Sequence, residues 1–153
     1  MPWGRAGTAL VTLCIEVFEP RTRKVGVSSV KRVLLVDDYP DVLDMWGLYL
    51  RLRGYEVDTA SDGFDAIERA HEHVPDVVVL DLGLPGITGC EVAVRLREAP
   101  DTSAVPLIAA TGYSNTSQLI EARESGFDAI VLKPCDPAQL EAEIERQLES
   151  KPH

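Results

Sequence analysis

Residues 77–89 read VVVLDLGLPGITG. Four consecutive apolar residues end on Asp81, and a turn carrying Gly and Pro follows before Thr88. A short run with apolar groups at every position suits a strand buried on both faces, which belongs in a parallel sheet covered by helices on each side. Asp81 then stands where that strand gives way to a loop.

The same kind of run recurs on either side, at Val33–Val36 (VLLV), Pro106–Ala110 (PLIAA) and Ile130–Leu132 (IVL). A weaker one, Glu56–Ala60 (EVDTA), alternates Val57 and Thr59 with acids, as an edge strand does. Helical patterns separate the runs. Pro40 opens the first, and Val42, Trp46, Tyr49, Leu50 and Arg53 form its stripe before Gly54 stops it. Ser61 or Asp62 starts the second, with Ala66, Ile67 and Ala70 inward. Thr88 with Glu91 reads as a capping box for the third, which carries Val92 and Leu96. The fourth spans about Asn115 to Ser125 and ends at Gly126. Asp136 and Pro137 open the fifth, where Leu140, Ile144 and Leu148 recur every four residues. Five strands, each followed by a helix, predict an α/β fold with a doubly wound parallel sheet and helices on both faces. Right-handed crossovers bring the C-terminal ends of all strands to one edge, where ligands bind in such sheets.

The polar residues at that edge are Asp37 and Asp38 after the first strand, Asp81 after the third, Thr111 after the fourth and Lys133 after the fifth. Each alone is ordinary: an acidic pair before a helix caps it, and a strand-end Asp sits in a turn. Together they are three carboxylates, a hydroxyl and an ammonium gathered from four strand ends. Phosphoryl transfer to a carboxylate needs such a set. The group in flight spreads negative charge over its oxygens, so catalysis is mainly positioning and electrostatic stabilisation. Three adjacent carboxylates repel unless a cation sits among them. Mg2+ suits, because it prefers oxygen ligands and takes one or two carboxylates plus a phosphate oxygen. Lys133 and Thr111 would hold the remaining phosphate oxygens.

VLLVDDYP (33–40), VVVLDLGLPGITG (77–89), IAATGY (108–113) and IVLKP (130–134) resemble the signature segments of the two-component response-regulator receiver domain. The resemblance covers about residues 31–149. It implies a flavodoxin-like sheet of order 2-1-3-4-5 and phosphorylation by a sensor histidine kinase or a histidine phosphotransfer protein. By it, Asp81 is the phosphoacceptor and Asp38 a direct metal ligand, while Asp37 acts on the metal largely through water. Gly83 supplies a backbone carbonyl to the metal. Thr111 is the switch hydroxyl and Lys133 the phosphate-binding lysine, with a cis bond to Pro134. Pro85 and Gly89 match the turn beyond the acceptor. Two positions depart from the pattern. Ile130 replaces the switch aromatic three residues before the lysine, which removes the ring that swings behind the hydroxyl; Tyr113 is the nearby candidate substitute. Gly83 offers no side chain to shield an acyl phosphate from water.

Composition bounds the alternatives. The chain has 153 residues, 45% of them hydrophobic, with a net charge of −10, enough for one domain with a real core. Residues 1–30 hold four basic residues (Arg5, Arg21, Arg23, Lys24) and two acidic ones (Glu16, Glu19), leaving −12 on the rest. A body that acidic repels a phosphate backbone, which argues against nucleic-acid binding by this chain alone. Cys14, Cys90 and Cys135 are widely spaced and read as free thiols in a reducing cytosol. No apolar run approaches the roughly 20 residues of a membrane span. The apolar stretch Thr8–Ile15 ends at Glu16 with no cleavage site, so a cytoplasmic protein is expected. Residues 1–30 read as a tail, with Leu10–Phe18 as a candidate short strand; an upstream start outside natural translation is the alternative. The receiver unit is expected over 31–150, with 151–153 as the chain end. With no effector domain expected after the fifth helix, output should pass by contact with a downstream protein or by onward phosphotransfer, from a monomer or weak dimer. Two other readings compete: a binding module that switches without phosphate, and a phosphatase with an aspartyl nucleophile. Intact Asp81, Thr111 and Lys133 weigh against the first. Gly83, standing where a general acid is wanted, weighs against the second.

Overall fold

The computed structural model describes residues 30–112 and 115–150. The tail with its candidate strand at Leu10–Phe18, Cys14, Tyr113 and the last three residues lie outside the described residues. Strands and helices alternate: β1 (Arg32–Val36), α1 (Pro40–Leu52), β2 (Glu56–Ala60), α2 (Gly63–Glu72), β3 (Val77–Leu80), α3 (Gly89–Glu98), β4 (Leu107–Thr111), α4 (Thr116–Ser125), β5 (Ala129–Leu132) and α5 (Pro137–Ser150). The sheet is parallel throughout, in the order β2-β1-β3-β4-β5. This is the flavodoxin-like arrangement that the resemblance implied.

Alternation along the central strands splits the core in two. Leu34, Val36, Val78, Leu80, Leu107 and Ala109 face a cluster with Ala66 and Ala70 of α2, Val92 and Leu96 of α3 and Ala122 of α4. Val33, Leu35, Val77, Val79, Ile108 and Ala110 face Trp46 and Leu50 of α1 and Leu140 and Ile144 of α5. Each fully buried Leu, Ile or Val contributes about 1.5–3 kcal/mol of transfer free energy. Two apolar layers on one sheet therefore hold its C-terminal edge rigidly in place.

Local signals set the helix starts. Asp62 caps α2 by accepting from the Asp65 N–H at 2.8 Å. Asn115 caps α4 through the Ser117 and Gln118 N–H groups, and Gly126 ends it with φ of 113°. At α3 the box is half formed: Thr88 Oγ1 accepts from the Glu91 N–H at 3.2 Å, but the Glu91 carboxylate meets the Thr88 hydroxyl. A complete reciprocal box stands at α5 instead, where Asp136 accepts from Gln139 N–H and Gln139 Oε1 accepts from Asp136 N–H.

One strand differs from expectation. The run Ile130–Leu132 reads as buried on both faces, yet β5, the edge strand that the order 2-1-3-4-5 implies, leaves Leu132 47% exposed.

Among the described residues no helix is long and apolar enough to cross a membrane. Cys90 and Cys135 are free thiols, and burial raises the pKa of both.

Candidate functional site

Backbone bonds that continue the sheet ladder fix the polar edge. Asp37 N–H donates to Ala60 O, Asp81 N–H to Val36 O, and Lys133 N–H to Thr111 O at 2.8 Å. Each residue is thus held to the neighbouring strand just where regular pairing stops. Thr111 is fully buried as the last residue of β4.

The three acids converge. Asp37, Asp38 and Asp81 each present a carboxylate oxygen, and these atoms lie within 4.8 Å of one another. Asp37 is 2% exposed and Asp81 9%. Asp38 is open to solvent, which gives the cluster its access. Lys133 closes it from the far side. Its Nζ is 2.5 Å from Asp37 Oδ2 and 3.5 Å from Asp81 Oδ2. The other oxygens take backbone donors: Asp37 Oδ1 accepts from Tyr39 N–H at 2.9 Å and Asp81 Oδ1 from Gly83 N–H at 3.3 Å. The Lys133–Pro134 bond is cis.

Charge at this edge is unbalanced. Burial pushes the Asp81 carboxyl above the usual carboxylate range. Lys133 and the Gly83 N–H offset part of that rise, and Asp37 and Asp38 add to it. Burial alone would lower the Lys133 ammonium, but its hydrogen bond to Asp37 and attraction to Asp81 outweigh it, and the net shift is upward. One ammonium facing three carboxylates leaves net negative charge in a half-dry cleft. That donor set, hard carboxylate oxygens converging from two strand ends, fits an oxygen-seeking divalent cation such as Mg2+.

Two contributions go beyond the sequence reading. Gly89, the first residue of α3, lies so close to the acceptor that an added Cβ would sit 2.3 Å from Asp81 O and 2.8 Å from Leu82 Cα. Only a glycine lets α3 seat against the backbone that carries Asp81. Trp46, assigned to the helix stripe, also lies under the Lys133 ammonium, with Nζ 5.9 Å from its ring centroid. The resemblance matches Gly89 to the turn beyond the acceptor but does not reveal this contact; nothing in the sequence marks the second. Ile130, at the departing position, is partly buried against the α2–α3 side of the core.

Comparison with known proteins agrees with this geometry. The chain is 41% identical over 102 residues to the transcriptional regulatory protein KdpE of Mycobacterium tuberculosis, covering 67% of this chain and 44% of that protein. It is 41% identical over 123 residues to PrrA of Mycobacterium leprae, covering 80% and 52%. The chain thus spans about half the length of these curated relatives. Among solved structures, a CheY-like receiver domain protein from Methanospirillum hungatei superimposes with a TM-score of 0.76 at 27% identity, over 80% of this chain and 97% of that one. The receiver domain of a sensor histidine kinase from Pseudomonas aeruginosa, which has a magnesium ion coordinated in its active-site cleft, gives 0.74 at 26%, over 79% and 99%. Residues 33–145 match the response regulator receiver domain, a span that runs from β1 into α5 and takes in every acid of the cluster and its lysine, so the chain belongs to that family.

Proposed function

We propose that this chain accepts a phosphoryl group on Asp81 and that Asp37, Asp38 and Asp81, with the Gly83 carbonyl, hold the Mg2+ that the transfer requires. The observation that carries the reading is the convergence of three carboxylate oxygens within 4.8 Å, faced by Lys133. The donor is a phosphohistidine on a sensor histidine kinase or a histidine phosphotransfer protein. An Asp81 carboxylate oxygen attacks phosphorus, the P–N bond breaks, and the imidazole leaves with the electron pair. Mg2+, when bound, supplies positive charge to the carboxylates and to the phosphoryl oxygens. The chain's own residues do the rest. Lys133 gives up part of its contact with Asp37 and Asp81 to meet a phosphoryl oxygen as charge develops there. Thr111 donates its hydroxyl to another. The upward shift at Lys133 keeps it charged across the physiological range.

The proposed setting is the cytoplasm, with output by contact with a downstream protein. The structural homologue with a bound magnesium ion supports the metal assignment, because its cleft belongs to the same fold. Incubation of purified protein with acetyl phosphate and Mg2+ tests the proposal: mass spectrometry should show one added phosphoryl group, absent in Asp81→Asn and absent when EDTA replaces Mg2+. Incorporation persisting in Asp81→Asn would overturn the site. Steady release of phosphate from phosphomonoesters would favour an aspartyl phosphatase instead.

A further inference from the structure

Among the described residues, the Lys133 ammonium meets Asp37, Asp81 and the ring of Trp46. In the proposed function the two carboxylates are the groups that a divalent cation claims. The aromatic face is the neighbour a cation leaves alone. Trp46 is well placed to hold an ammonium there. It is 4% exposed on α1 and packs in one cluster with Val33, Leu35, Leu50, Leu140 and Ile144, so its ring is anchored by helix and core together. The ring also has an unusual cost, because among the described residues its buried Nε1–H has no hydrogen-bond partner. A Phe or Leu would fill an apolar site without stranding a donor. What an indole adds is the strongest π face among the side chains, within the 6 Å range of a cation–π contact.

We propose that Trp46 is a positioning residue for phosphoryl transfer: its ring face keeps the Lys133 ammonium beside Asp81 while Asp37 and Asp81 are engaged by the divalent cation. The lysine stem has four rotatable bonds, and its backbone is pinned by the bond from Lys133 N–H to Thr111 O. A fixed aromatic wall narrows the volume its amine searches, so less ordering remains to be done at the moment of transfer. The inference rests on the phosphoacceptor reading above.

The test separates the two. Selective 13C labelling of lysine in the full chain gives four residues to observe, Lys24, Lys31, Lys133 and Lys151. With Mg2+ present, the Lys133 side-chain methylene protons nearest the amine should resonate upfield of the other three through the ring current of Trp46. Trp46→Phe should keep most of that shift and Trp46→Leu should abolish it. The rate of acetyl phosphate incorporation should fall about two- to fivefold in Trp46→Leu and recover in Trp46→Phe, the range expected for one cation–π contact. Lys133 resonances that coincide with those of the other lysines in the unmodified protein would overturn the proposal, whether or not either variant folds. So would equal rates in the Leu and Phe variants. A protein that takes no phosphate, yet shows the shifted lysine, would sink the phosphoacceptor reading and leave the contact standing.

Discussion

The two edges of the sheet both carry acids, and they treat them differently. At the N-terminal edge every acid named here has a donor close by. Asp76 accepts from Arg32 N–H at 2.7 Å, and Glu56, with Asp58 farther along β2, pairs with the Arg32 guanidinium at 2.6 and 3.0 Å. Asp128 accepts from Leu107 N–H at 2.9 Å and from Arg97 Nη2 at 2.7 Å, and Arg97 also binds the Gly126, Ser103 and Val105 carbonyls. At the C-terminal edge Asp37, Asp38 and Asp81 cluster, and one lysine meets Asp37 and Asp81. The first arrangement closes strand starts; the second concentrates charge that only a cation can balance. Crowding like charges in a partly buried cleft is destabilising even where each buried acid has a donor, and a fold keeps that condition where a ligand relieves it.

Substitutions at the two edges should therefore have opposite signatures. The largest effect is chemical: Asp81→Asn should remove phosphoryl incorporation completely, whereas Asp128→Asn should leave it intact, as phosphate-affinity electrophoresis would show. Next in size, Asp38→Asn should weaken Mg2+ binding by at least about tenfold in calorimetric titration, given that even residues behind a metal's ligands commonly matter that much. Asp76→Ala, at the other edge, should not change it. Third, Asp128→Ala strands the Leu107 N–H and part of Arg97, so urea unfolding should report a loss of about 1–3 kcal/mol. Gly89→Ala should cost a similar amount through overpacking against the Asp81 carbonyl, and it should slow phosphorylation as well.

The smallest effect has the opposite sign. The Asp81 carboxyl is raised in the folded state, chiefly by burial, so the folded chain holds that proton more tightly than the unfolded one. Stability then falls as pH rises from about 4, the ordinary carboxylate value, through the raised value, and stays lower above it. In metal-free buffer at pH 7, Asp81→Asn should melt slightly higher than the unmodified protein. The gain should shrink as the pH falls through the raised value and be gone below about 4. A variant that melts lower at pH 7 would mean that Asp81 is compensated like the acids at the opposite edge.

Much of this contrast was legible in the residue order. VLLV, VVVL and the PLIAA run carry apolar residues at nearly every position, which only central parallel strands require, and they became β1, β3 and β4. Strand ends followed, so Asp37, Asp38, Asp81, Thr111 and Lys133 could be brought to one edge by topology alone. Three things could not be read. How far β5 is covered was hidden: the order 2-1-3-4-5 makes it an edge, but a three-residue apolar run does not say how much of it a helix covers. The bridge from Lys133 to Asp37 spans 96 positions and depends on side-chain rotamers that no spacing encodes. The glycine at 89 matters through a backbone contact that appears only once α3 is seated against β3. The Asp136–Gln139 box was visible in principle, but the proline between them drew the reading instead.

The central claim is that a divalent cation binds between acids from the ends of β1 and β3. Titration of 15N-labelled protein with Mn2+ as a paramagnetic stand-in for Mg2+ tests it most directly. The account predicts that the amide signals of Asp38, Leu82 and Gly83 broaden first, that excess Mg2+ restores them, and that Arg32, Asp76 and Asp128 at the opposite edge stay sharp. Broadening centred on that opposite edge, or none near Asp38 and Asp81, would contradict it.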